Sequence, residues 1–112
     1  MRQFTLDVDG VRRPIATADA MLTVLEAVRS EHVDFAILED NTGSYVQCAG
    51  AAGELIGEWR DVTTGQFRHH SLSGTTPDRV SVDEMATAIH QFWKTGRVAD
   101  PLTVTDISAR FR

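Results

Sequence analysis

The adjacent histidines His69 and His70 are the first residues whose type and spacing suggest chemistry, either metal ligation or acid–base work. They fall in a strand-like stretch, where neighbouring side chains point to opposite faces, so two rings in a row do not share one ion. Cys48, paired with His70 or His90, has the makings of a nucleophile, but no local cysteine-enzyme signature surrounds it. A small apolar role in packing suits it better. Gly50-Ala51-Ala52-Gly53 resembles part of a phosphate-binding loop. Such loops lead into a helix, whereas here a strand pattern follows, so the segment reads as a hairpin turn. Glu58, Arg60, Arg68 and His70 form one polar set that could line a small-ligand site, with His70 opposite Glu58 as a cross-strand pair. The set lacks the third orienting group that acid–base catalysis needs, so the chain is read as a non-enzyme. One cysteine and scattered histidines at 32, 69, 70 and 90 give no spacing for a zinc site, and neither metal nor cofactor is expected.

The composition limits the partners. The chain has 11 Lys and Arg against 16 Asp and Glu, a formal net charge of −5. That argues against direct binding of DNA or RNA, which draws on clustered cations. An acidic surface suits a basic protein instead. Glu39, Asp40, Glu54 and Asp61 lie near expected turns and are candidate contacts for a basic groove, together with Glu58, Arg60, Arg68 and His70. No apolar run approaches the length of a membrane span. The N-terminal residues lack the apolar stretch of a signal peptide, so the expected location is the cytoplasm.

At 112 residues the chain fits a single domain over 1–112. Phe4, Leu6 and Val8 alternate with polar residues, and Asp9-Gly10 is a two-residue hairpin signal. The returning arm is expected to be short because Pro14 cannot donate to a ladder. A first helix is expected from Thr17, as its cap, to about Ser30, with Met21, Leu25 and Val28 as its apolar stripe. A second is expected over 81–95. Ser81 and Glu84 form its capping box, Val80 and Met85 its hydrophobic staple, and Gly96 its stop. Between them, residues 33–72 read as four antiparallel strands, with both helices packed on one face. The fold class is therefore α+β.

The three turns of this meander, 41–43, 51–53 and 63–65, each end in glycine, which suits a three-residue hairpin loop. Applied throughout, that rule sets Glu39 opposite Tyr45, Ala49 opposite Leu55 and Asp61 opposite Phe67. Phe35, Ile37, Tyr45, Ala49, Leu55, Trp59 and Phe67 then share one face, taken as the core. The outer face carries Leu38, Val46, Cys48 and Ile56, an apolar patch fit for a homodimer seam or for cover by the C-terminal segment with Leu102, Val104 and Ile107.

The stretch from Val80 through Ser81, Glu84, Met85, Gln91, Phe92 and Trp93 to Gly96, followed by Arg97 and Pro101-Leu102-Thr103, resembles the C-terminal part of a bacterial immunity-protein family. That family belongs to polymorphic and contact-dependent toxin systems and includes the inhibitor of a DNA cytosine deaminase toxin. The resemblance implies a small α+β protein that neutralises a cognate toxin by covering its active site. It transfers no individual contact residue, and the strand pattern before residue 80 is only compatible with it.

Overall fold

The structure, a computed structural model, describes residues 2–62, 65 and 67–111. One antiparallel sheet of seven strands runs through it, in the order β2-β1-β3-β4-β5-β6-β7. The strands are β1 Phe4–Val8, β2 Val11–Ile15, β3 Phe35–Asp40, β4 Tyr45–Ala51, β5 Glu54–Asp61, β6 Arg68–Ser73 and β7 Thr103–Asp106. The expected four-strand meander is present as β3 to β6 and is extended on both sides. The N-terminal hairpin joins through β1 against β3, and the tail adds β7 beside β6, with Leu102 in the same core cluster as Leu38, Val46 and Cys48 and Val104 packed against it. Pro14 lies in β2, an edge strand, where a missing N–H costs no ladder bond.

The helices lie on one face. The segment expected as one helix from Thr17 forms two short ones, α1 Asp19–Leu22 and α2 Leu25–Arg29. Ala18 occupies the start of α1 and no side chain caps it, so Thr17 does not serve as the cap. The stripe of Met21, Leu25 and Val28 is nonetheless fully buried. The third helix, α3 Val82–Thr95, begins on the expected capping box. The Glu84 N–H donates to Ser81 Oγ at 3.1 Å and the Ser81 N–H to Glu84 Oε1 at 2.8 Å. The other Glu84 oxygen accepts from the Thr75 N–H, and these backbone bonds hold its carboxyl below the ordinary value. Gly96 ends the helix at φ 77°, a left-handed conformation glycine adopts without strain. A contact invisible in the sequence completes this end: Arg2 donates to the carbonyls of Phe92 and Trp93 at 2.8 and 2.7 Å, and to Asp40.

Register decides which residues meet the helices. Glu39 pairs with Tyr45 across Asn41-Thr42-Gly43, as the three-residue rule requires. The next turn breaks the rule. Ala51 pairs with Glu54 across two residues, Ala52 at φ 52° and Gly53 at φ 87°, so Ala49 faces Ile56 and not Leu55. Two central residues at positive φ are the mark of the tight hairpin that matches strand twist. Asp61 pairs with Arg68 instead of Phe67. Thr63 and Thr64 of the third expected turn lie outside the described residues.

Each one-residue slip turns a strand over relative to its neighbour. The assigned faces are corrected accordingly. Leu38, Val46 and Cys48 are buried under α2 and α3 with Leu6, Ala36, Leu55, Trp59 and Leu72. Gly57 makes room there, since a Cβ on it would come within 3.1 Å of the Met85 sulfur and 3.2 Å of Val80. Phe35, Ile37, Tyr45, Ala49 and Phe67, expected in the core, lie on the opposite face, away from α2 and α3.

Candidate functional site: the uncovered sheet face

Three rows of side chains cross the uncovered face. One runs Thr5, Glu39, Tyr45, Arg60, His69, and the next runs Asp7, Ile37, Gln47, Glu58, Ser71. A third, at the far end, is Phe35, Ala49, Ile56. Alternation along each strand places them there, because the intervening residues are committed to the core. Ile56 and Phe67 stand out as exposed apolar side chains, Phe67 at 64%. A hollow of about 220 Å³ opens between Thr5, Asp7, Arg12, Glu39, Tyr45, Gln47 and Arg60.

The charges on this face are mostly matched. Arg12 reaches across from β2 to make an ion pair with Glu39. Gln47 donates to Glu58 Oε1 at 2.6 Å. Arg60 is held differently, its guanidinium 4.3 Å from the ring centre of Phe67 and 5.6 Å from that of Tyr45. Such cation–π contacts orient the cation without neutralising it.

The structure divides the eight candidate contact residues between two surfaces. Glu39, Glu54, Glu58 and Arg60 share the uncovered face, with Glu54 at its edge beside the tight turn. Asp40, Asp61, Arg68 and His70 are on the helix side. Asp40 and Asp61, expected as solvated carboxylates near turns, are instead buried. Burial alone would raise the Asp40 carboxyl, but hydrogen bonds from Thr42 and Arg2 outweigh it and hold the group below its ordinary value. His70 pairs with Trp59 and not with Glu58, and its ring stacks on the indole at 4.5 Å. Glu58 and Arg60 are therefore separated by the sheet from Arg68 and His70, and the four do not converge on one ligand site.

Arg68 and His70 instead border a shallow groove of about 690 Å³ between β6, β7 and the loop 97–102. There Arg68 lies 3.5 Å from Asp106, and Ser108 bonds hold the Asp106 carboxyl below its ordinary value. His69 and His70 point to opposite faces, as the strand reading requires. Among the described residues no group of three or more His, Cys, Asp or Glu side chains is arranged to hold a metal ion. Cys48 is sealed in the core, and burial pushes its thiol up to about 12, far from a reactive thiolate at neutral pH.

Of the proposed dimer patch only Ile56 is exposed, because Leu38, Val46 and Cys48 are core residues. Sequence reasoning missed Tyr45, Gln47, Phe67 and Arg12 as surface residues of the site. The alternation around Leu38 and Val46 carries that signal, since burying these two residues leaves Tyr45 and Gln47 on the other face. Among the described residues no helix is long and apolar enough to cross a membrane. Comparisons with protein-family models, with curated proteins and with solved structures found no match.

Proposed function

We propose that this chain is a non-enzymatic binding protein of the immunity type, which neutralises a bacterial toxin by covering its active site with the open face of the sheet. The observation that carries the reading is the pairing of a helix-covered face with a wide uncovered one. The uncovered face combines apolar and aromatic side chains at Phe35, Ile37, Tyr45, Ile56 and Phe67 with carboxylates at Glu39, Glu54 and Glu58. Exposed apolar surface rimmed by charge is the usual mark of a protein contact. A rigid sheet presents such groups at little entropic cost. The net charge of −5 adds a long-range pull toward a basic cleft, the surface carried by enzymes that act on nucleic acid. The resemblance of residues 80–103 supports the same role.

Co-expression is the test. Cells making the toxin encoded beside this gene should survive only when this protein is present, and the two should form a one-to-one complex. Charge reversal at Glu39, Glu54 and Glu58 together should slow association and flatten its salt dependence. Reversal at Asp40 or Asp61 is no equivalent test, because both are buried and their loss would damage the fold. Survival that is unaffected by this protein would remove the reading.

A further inference from the structure

Among the described residues of the uncovered face, Arg60 is a cation without a counter-charge at a place where that is costly. Arg60 lies within the row of Glu39, Tyr45 and His69, beside the end of β5, a strand paired on both sides. Two carboxylates of this face are already engaged, Glu39 on β3 by Arg12 and Glu58, on the same strand as Arg60, by Gln47. Among the described residues the Arg60 guanidinium makes no ion pair, and its Nε is buried without a hydrogen-bond partner. The side chain is only partly exposed, and the rings of Phe67 and Tyr45 flank it. A half-buried N–H donor left unmade is unfavourable, and a folded chain seldom keeps one.

We propose that Arg60 is the anchor of the docking surface, gripping a carboxylate on the partner protein. The inference rests on the open face being the partner site. The guanidinium fork takes a carboxylate through two parallel hydrogen bonds, and the flanking rings pre-order it, so less freedom is lost on binding. Arginine and tyrosine at the centre of a contact are the side chains that most often dominate its affinity. The neighbouring Glu39 and Glu58 set the rest of the pattern. The partner surface carries an Asp or Glu at its centre with Lys or Arg around it. That alternation also excludes polyanions, since a phosphate chain meeting Arg60 would lie against the flanking carboxylates.

The test uses the full-length protein and the catalytic domain of the toxin encoded beside it, with affinity measured by titration calorimetry. Arg60→Met keeps the stem and removes the charge. It should weaken binding by roughly thirtyfold or more, the loss expected when one member of a buried charge pair is truncated. Arg60→Lys keeps the charge without the fork and should fall between the two. Thermal melts of the free variants should stay close to the parent, because among the described residues the side chain makes no ion pair and only its ring contacts are lost. If Arg60→Met does not fold, Arg60→Lys carries the test, and its binding as tightly as the parent overturns the proposal. Tight binding of the parent with no loss in Arg60→Met overturns the anchor but leaves the open face as partner site. No binding by the parent overturns both. A dimer in solution that Arg60→Met dissociates would place a second copy of the chain on this face and overturn the proposal as well.

Discussion

Replacing Leu38 with alanine, and separately its neighbour Ile37, tests which face of the sheet is buried. Leu38 has no exposed surface and pairs with Leu6 on one side and Val46 on the other, beneath the helices. Ile37 is half-buried on the uncovered face, between Asp7 and Gln47. Leucine-to-alanine changes in such cores remove the transfer free energy of the lost carbons and leave a cavity, together costing about 3 kcal/mol. With a helix packed over it, the Leu38 site has little freedom to collapse. Ile37→Ala loses part of an already wet contact and should cost about 1 kcal/mol or less. In a domain of this size the larger loss lowers the melting temperature by about 12 °C. Urea denaturation of the parent and both variants reads the difference as a shift in midpoint at constant slope. If Ile37→Ala proves as costly as Leu38→Ala, or more so, the buried face has been assigned backwards and the argument for the open face fails with it.

Three further outcomes follow. Ser81→Ala should destabilise the domain by about 1 kcal/mol through loss of the α3 cap, and an unchanged midpoint would show that the helix does not depend on it. The lowered carboxyl of Asp40 contributes stability that is complete above the unfolded value near pH 4, fades below it and is gone once the pH has passed the native value. Asp40→Asn should therefore be less stable at pH 7 and lose less between pH 5 and strong acid, whereas parallel acid curves would refute this. Cys48 should resist thiol reagents in native buffer at pH 8 and react only as urea opens the core; labelling at the rate of a free thiol would show that it faces solvent.

Much of this protein follows from local chemistry. The α3 helix is specified by Ser81, Glu84 and Gly96 themselves, because a capping box and a left-handed stop need only neighbours a few residues away. The Asp9-Gly10 hairpin and the three-residue turn at 41–43 are local in the same sense, and both formed as their residues dictate. The faces were not local. Ala51-Ala52-Gly53 accommodates either a three-residue or a two-residue turn, and the second requires Ala52 to take a positive φ that alanine disfavours. What selects it is long-range. It allows Leu38, Val46 and Cys48 to share the helix-covered face with Leu55 and Trp59, whereas the other turn would leave half of that apolar surface in water. The candidate site depends on that choice. Tyr45, Arg60 and Phe67 become neighbours only when two separate turns each shift by one residue, a consequence of packing the whole sheet against its helices that no short segment encodes.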